Sequence, residues 1–149
     1  MDGTKQVYLY DPATGEMASQ FEVPFSAESV ETVHFMRNDT IMFVSLSNDI
    51  CYLIDTKTGS ILGDPIHGYY NTIQFDSKKG FLFLSGYDHG AIVDLENNYL
   101  IKHVPSMRGY LSTSNKIICY DGTTRKYLLY PVYSIAEMIE AGLEMTGQQ

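Results

Sequence analysis

Residues 72–94 read Thr72-Ile73-Gln74-Phe75-Asp76, Ser77-Lys78-Lys79-Gly80, Phe81-Leu82-Phe83-Leu84-Ser85-Gly86, Tyr87-Asp88-His89-Gly90, Ala91-Ile92-Val93-Asp94. Three short apolar runs are separated by two polar tetrads. Runs of this length, rich in β-branched and aromatic residues, predict strands, and the tetrads predict tight turns. Each tetrad closes on glycine, which adopts positive φ without a Cβ clash. The stretch therefore predicts a three-stranded meander.

The same grammar extends in both directions. Upstream, residues 30–35 alternate apolar and polar, and Arg37-Asn38-Asp39 turns. Residues 40–45 form a nearly continuous apolar run, as expected of a strand buried on both faces. Ser47-Asn48-Asp49 turns again, residues 50–55 are a third strand, Thr56-Lys57-Thr58-Gly59 turns, and residues 60–66 return. Before this unit, residues 7–11 and 17–23 predict a lone hairpin around Pro12-Ala13-Thr14-Gly15, closed by Pro24. Downstream, residues 99–104 predict a fourth strand after Asn97-Asn98. Residues 108–113, 116–121 and 126–132 then predict three more strands.

Four of these strands end in aspartate: Asp11, Asp55, Asp94 and Asp121, at intervals of 44, 39 and 27 residues. The first two intervals match the 40–45-residue period of four-stranded propeller blades, and the third leaves room for one strand fewer. The expected fold is mostly β: a partial β-propeller of about three to three and a half four-stranded antiparallel blades. Residues 5–24 would form a half blade, 29–66 and 67–104 full blades, and 106–133 a short blade, giving two, four, four and three strands. A change of character follows at residues 134–149. Ser134-Ile135-Ala136-Glu137 is a capping-box pattern, and Ile135, Met138, Ile139 and Leu143 recur on one helical face. A short C-terminal helix is expected, packed on its own domain or offered to a partner.

The residues around this repeat resemble a WD-repeat. The resemblance rests on Leu84-Ser85-Gly86, Asp88-His89-Gly90 and Val93-Asp94, with His67-Gly68 near the family's Gly-His position in reversed order. It implies that His67, Ser85 and Asp88 serve blade-internal hydrogen bonding. All four terminal dipeptides (Tyr10-Asp11, Ile54-Asp55, Val93-Asp94 and Tyr120-Asp121) lack tryptophan. The family's His–Ser–Asp–Trp network is therefore incomplete in each unit, and Ser26 stands near the histidine position of the second. Asp11-Pro12-Ala13-Thr14-Gly15 and Asp55-Thr56-Lys57-Thr58-Gly59 also look like the turn of quinoprotein propellers. That family's downstream Trp is replaced here by Ser19 and Gly63. Turn chemistry accounts for both segments: Asp and Thr side chains bond the turn backbone and Gly takes positive φ.

Composition bounds the function. The chain has 149 residues, 12 tyrosines, no tryptophan and a net charge of −8. Acidic charge repels phosphate backbones and disfavours nucleic-acid binding. No apolar run approaches membrane-spanning length, and residues 1–5 carry no signal-like core. A soluble, cytoplasmic protein without a membrane partner is expected. Cys51 and Cys119 lack ligand spacing and predict buried free thiols rather than a zinc site. The histidines His34, His67, His89 and His103 fall one per segment, which spreads rather than clusters them. No nucleophile–base motif or phosphate loop occurs, so no catalytic, cofactor or metal residues are expected.

The leading expectation is a non-enzymatic protein–protein interaction module, a scaffold or assembly subunit. A propeller-class enzyme acting at the central channel, or a fragment that completes another chain's propeller, are the alternatives. Too few blades for a closed ring imply exposed blade faces and a partner, either another chain or a second copy completing a ring of about seven blades. Tyr69, Tyr70, Met107, Arg108 and Tyr110 are the candidate partner-binding residues, since Tyr and Arg are enriched at hot spots. Packing of these tyrosines between blades, where the missing tryptophans leave room, is the structural alternative.

Overall fold

The computed structural model describes residues 5–23, 29–134, 137, 138 and 140. Among them, thirteen strands form sheets of two, four, four and three strands, and the ladders run antiparallel. The mostly-β expectation and its four-stranded sheets are met. The chain divides into two compact units, Met1–Tyr69 with Leu95–Ile101, and Tyr70–Asp94 with Lys102–Gln149.

The first unit opens on a hairpin, β1 (Lys5–Tyr10) and β2 (Met17–Val23). It continues with the sheet β3 (Val30–Met36), β4 (Ile41–Leu46), β5 (Ile50–Asp55) and β6 (Ile66–His67), in that order. Every residue of β4 is buried, as its unbroken apolar run predicts. Met42, Val44 and Leu46 point to one face, where they form a core with Ile54, Phe21 and Val23. Val7, Leu9 and Tyr52 pack against this cluster. The hairpin thus lays one face on the four-stranded sheet. Side-chain bonds hold it there: the Ser19 hydroxyl donates to the Thr56 carbonyl at 2.7 Å, and Thr56 donates to the Asp39 carbonyl at 2.6 Å.

The expected return strand over residues 60–66 is mostly absent. Only Ile66 and His67 pair, with Cys51 and Ile50, preceded by a single bridge between Ile61 and Ile54. Gly63, at φ 72°, turns the chain out of the ladder. Pro65 then supplies no N–H for a bond. His34 lies exposed on β3.

The second unit contains β7 (Thr72–Asp76), β8 (Phe81–Ser85) and β9 (His89–Asp94), and the last four residues of β10 (Leu100–Pro105), which lies at the edge of that sheet. It also contains the sheet β11 (Met107–Leu111), β12 (Lys116–Asp121) and β13 (Lys126–Pro131). Phe81 and Phe83 share a core with Met107, Tyr110, Ile117, Cys119 and Val132. Tyr110 stacks on Phe83 with ring centroids 3.7 Å apart and planes within 7°.

The two glycines that close the turns of the 72–94 meander do different work. Gly80 sits at φ 68°, as expected. Gly90 is not in the positive-φ region but lies within β9, opposite Ser85. A Cβ there would fall 2.6 Å from Met107 Cβ and 2.7 Å from the Leu84 carbonyl oxygen. Glycine is required at this position for close approach, not for a turn.

At the C-terminal end the capping box closes. The Ser134 amide donates to Glu137 Oε2 at 2.6 Å, and the Glu137 amide donates to Ser134 Oγ at 3.2 Å. Lys79 Nζ also reaches the Glu137 carboxylate at 2.6 Å. The helix expected beyond lies largely outside the described residues, including Ile135, Ile139 and Leu143. Ser26 lies outside them too.

Candidate interaction surface

Strand β13 reads Lys126-Tyr127-Leu128-Leu129-Tyr130-Pro131, as apolar in its centre as β4, yet all six residues are exposed. Its pairing with β12 shows why. Ile117 and Cys119 of β12 point into the core. Lys116, Ile118 and Tyr120 therefore point the other way, since side chains alternate along a strand. Opposite them in register stand Pro131, Leu129 and Tyr127, and Leu111 of β11 pairs with Lys116. β11 and β12 thus pack one face in the core and leave the other open, while β13 is exposed on both faces, with Leu128 at 37% and Tyr130 at 47% on the core side. On the open face Tyr127 is 67% exposed and Leu129 51%. The rings of Tyr120 and Tyr127 lie 5.3 Å apart, and the Arg108 guanidinium sits 5.7 Å above Tyr120. Arg108 also donates to the Tyr87 carbonyl, which holds it over that ring.

The outer edge of β13 pairs with no other strand among the described residues. The Val132 amide bonds the Asn115 carbonyl, which places residues 126, 128 and 130 in the hydrogen-bonded pairs with β12. The N–H and C=O groups of Tyr127 and Leu129 then point outward, because bonding direction alternates along an antiparallel strand. Pro131, lacking an N–H, ends that edge, a usual device for limiting edge pairing.

The β1–β2 hairpin repeats the pattern. Its inner face carries Lys5, Val7 and Leu9. Its outer face carries Gln6, Tyr8 and Tyr10, with Glu22, Gln20 and Met17 opposite in register. Tyr10 is 60% exposed and Met17 54%. Gln6 donates to Glu22 Oε1 at 2.6 Å across this face. A third exposed apolar stretch runs along β3 at Val30, Val33 and Phe35, at the edge of a complete four-stranded sheet.

The five residues proposed from sequence for partner binding separate on this structure. Tyr70, Met107 and Tyr110 are buried core side chains, so they do not form a surface. Aromatic and Met burial outweighs their hot-spot character, as the packing alternative anticipates. Tyr69 and Arg108 are exposed, Tyr69 in the first unit and Arg108 on the open face of the second. Tyr110 is instead the hub of a hydrogen-bond network. Its hydroxyl donates to Asp76 Oδ2 at 2.7 Å and lies 3.1 Å from Asn115 Oδ1. Gln74 clamps its backbone from both sides, at 3.0 and 3.3 Å. Burial and the hydrogen bond to Asp76 push the phenol well above its ordinary range. Partial burial works to raise Asp76, but the bonds from Tyr110 and the Lys79 and Lys78 amides hold it below the usual carboxylate value.

His67 is on β6 in the first unit, whereas Ser85 is buried on β8 and Asp88 is exposed in the second. The Asp88 carboxylate bonds the neighbouring His89 Nδ1 at 2.6 Å, which lowers its ionisation range. His89 Nε2 is buried without a partner among the described residues, and the Tyr70 ring meets the imidazole edge-on at 5.2 Å. Both cysteines are buried free thiols, and burial pushes Cys51 up to about 11. Among the described residues, no group of three or more His, Cys, Asp or Glu is placed to hold a metal ion.

The turn aspartates do the structural work their motif implies. Asp55 Oδ1 accepts from the Thr58 amide (2.7 Å), the Thr58 hydroxyl (2.9 Å) and the Lys57 amide (3.0 Å), and Gly59 sits at φ 74°. Asp11 and Gly15 repeat this geometry. Asp76 and Asp121 form two more such turns, the last with Arg125 rather than glycine at φ 54°.

The open strand β13 was not singled out from sequence. Its signal was an apolar run without polar alternation, which periodicity assigns to a strand covered on both faces.

Comparison with solved structures finds a chain of the crystal structure of the mitotic checkpoint complex. It aligns at a TM-score of 0.55 and 15% identity over 88% of this chain. This chain spans 42% of the length of that one. At this identity the likeness concerns fold alone, and it supports a WD40-like β-propeller fold. No family model matches the chain. No curated protein matches it either.

Proposed function

We propose that this chain is a non-enzymatic protein–protein interaction module, a scaffold or assembly subunit whose uncovered sheet surface takes another protein. The observation that carries the reading is the contrast between β4 and β13. Two strands of similar apolar content differ completely in burial, and an apolar strand exposed along its whole length at the edge of a sheet is a template for association. The fold likeness supports it at a coarse level, since the matched chain comes from a protein complex. Arg108 and Tyr127, on the open face, have the residue types that dominate interface energetics.

The test is cross-linking of the purified protein followed by mass spectrometry, with Tyr127→Asp and Leu129→Asp as controls. Cross-links from the Lys126 and Lys116 side chains to another polypeptide, lost in both variants, are the expected result. Cross-links that stay within one molecule, unchanged by either substitution, would refute the reading.

A further inference from the structure

We infer that the open face of the β11–β13 sheet is covered by the outer face of the β1–β2 hairpin of a second copy of this chain. The inference rests on the interaction-module reading and names the occupant.

Three observations converge. First, these are the two sheets with fewer than four strands among the described residues, while the others have four. Second, each has one face packed in a core and the other open and rich in large apolar side chains. Tyr8, Tyr10 and Met17 stand on the hairpin, and Leu111, Tyr127 and Leu129 on the three-stranded sheet. Third, the charges are opposite. The chain carries −8 overall, yet residues 106–133 hold Arg108, Lys116, Arg125 and Lys126 against Asp121 alone. The hairpin has Asp11, Glu16 and Glu22 against Lys5, and Lys5 lies on its inner face.

The dimensions fit. Strands β1 and β2 have six and seven residues, and β12 and β13 have six each. At about 3.4 Å per residue and about 4.8 Å between strands, the hairpin covers two strands end to end. Laying turn over turn places Asp11 and Glu16 beside the Arg125 turn, and Glu22 at the other end beside Lys116. Tyr10 and Met17 then meet Tyr120 and Tyr127 near the turns, and Tyr8 meets Ile118 and Leu129 in the middle, where aligned sheets interdigitate. The contact is head-to-tail, so it uses different patches on the two copies.

A charge-swap mixing experiment tests it, read by light scattering on the whole chain from low to high micromolar concentration. Wild type should self-associate. Glu22→Lys and Lys116→Glu should each weaken self-association about five- to tenfold, through one lost and one repulsive charge contact. Mixing the two variants should restore assembly, because every hairpin then meets a complementary sheet. Leu129→Asp should abolish assembly with an unchanged circular-dichroism spectrum, since its side chain is exposed. A wild type that stays monomeric, or a mixture no better than its components, overturns the inference. If cross-linking then shows a different chain on this face, sensitive to Leu129→Asp, the interaction-module reading survives. If Leu129→Asp alters no association at all, both fall.

Discussion

Replacing Gly59 with alanine tests whether the hairpin is seated as the structure shows. The D-x-x-T-G motif occurs twice in the first unit, and its glycines have nearly identical conformations, φ 73° at Gly15 and 74° at Gly59. Their surroundings differ. A Cβ on Gly15 meets nothing within 4 Å, whereas one on Gly59 would lie 2.5 Å from Phe21 Cβ and 2.8 Å from its Cγ. Left-handed backbone costs an alanine roughly 1–2 kcal/mol, partly offset by about 0.4–1 kcal/mol from the stiffer unfolded chain. Gly15→Ala should therefore destabilise by about 0.5–1 kcal/mol. Gly59→Ala carries the same backbone cost and must also displace Phe21, a buried member of the core with Val23, Met42 and Ile54. Forcing an extra methyl into packed side chains adds about 1–3 kcal/mol, for a total of about 2–4 kcal/mol. Urea unfolding followed by tyrosine fluorescence and far-ultraviolet circular dichroism measures both, with 12 tyrosines and no tryptophan to interfere. The midpoint should shift and the slope should not. Equal losses for the two variants would refute the packing of the hairpin against the Gly59 turn.

Three further outcomes follow from the second unit and the turns. Tyr110→Phe keeps the stack on Phe83 but removes the donor to Asp76. It should cost about 1 kcal/mol and raise the Asp76 pKa, which carboxylate NMR titration reads directly. Gly90→Ala should destabilise through Met107 rather than through backbone conformation, so Met107→Ala should relieve part of the damage in the double variant. The two substitutions would then be less than additive in urea. Asp55, Asp76 and Asp121 are held below their unfolded value, Asp55 first by the Thr58 amide and Asp121 first by the Thr124 hydroxyl. Their contribution is complete above the unfolded carboxylate pKa and disappears as pH falls through the lower folded values. Thermal midpoints should therefore drop on acidification. Thr124→Val should flatten that dependence, and an unchanged acid limb would contradict the role assigned to Asp121.

The alternation of short apolar runs with Asp- and Gly-containing tetrads specified strands and turns, and with them sheets of two, four, four and three strands. Turn chemistry was legible for the same reason. The bonds from Asp55 to Thr58 and Lys57, and the reciprocal bonds of Ser134 and Glu137, close within three residues. Local bonds of this kind depend on identity and spacing, which a sequence states outright.

Burial was decided elsewhere. Tyr110 is a core residue because Phe83, 27 positions away, stacks on it, and β13 is open because Tyr127 and Leu129 stay exposed, with none of the described residues covering them. Gly90 is needed because Met107 comes close from another sheet, and β6 is cut short by Gly63 and Pro65 although its residues are apolar enough to continue. Each of these outcomes depends on which sheet face meets which, a relation between residues distant in the chain. Periodicity tells β4 and β13 apart no better than it tells a covered strand from one awaiting cover. The sequence by itself determined the strands and their turns through short-range hydrogen bonding and φ preference. Only the tertiary structure decided which apolar faces were satisfied, because that depends on what packs against them.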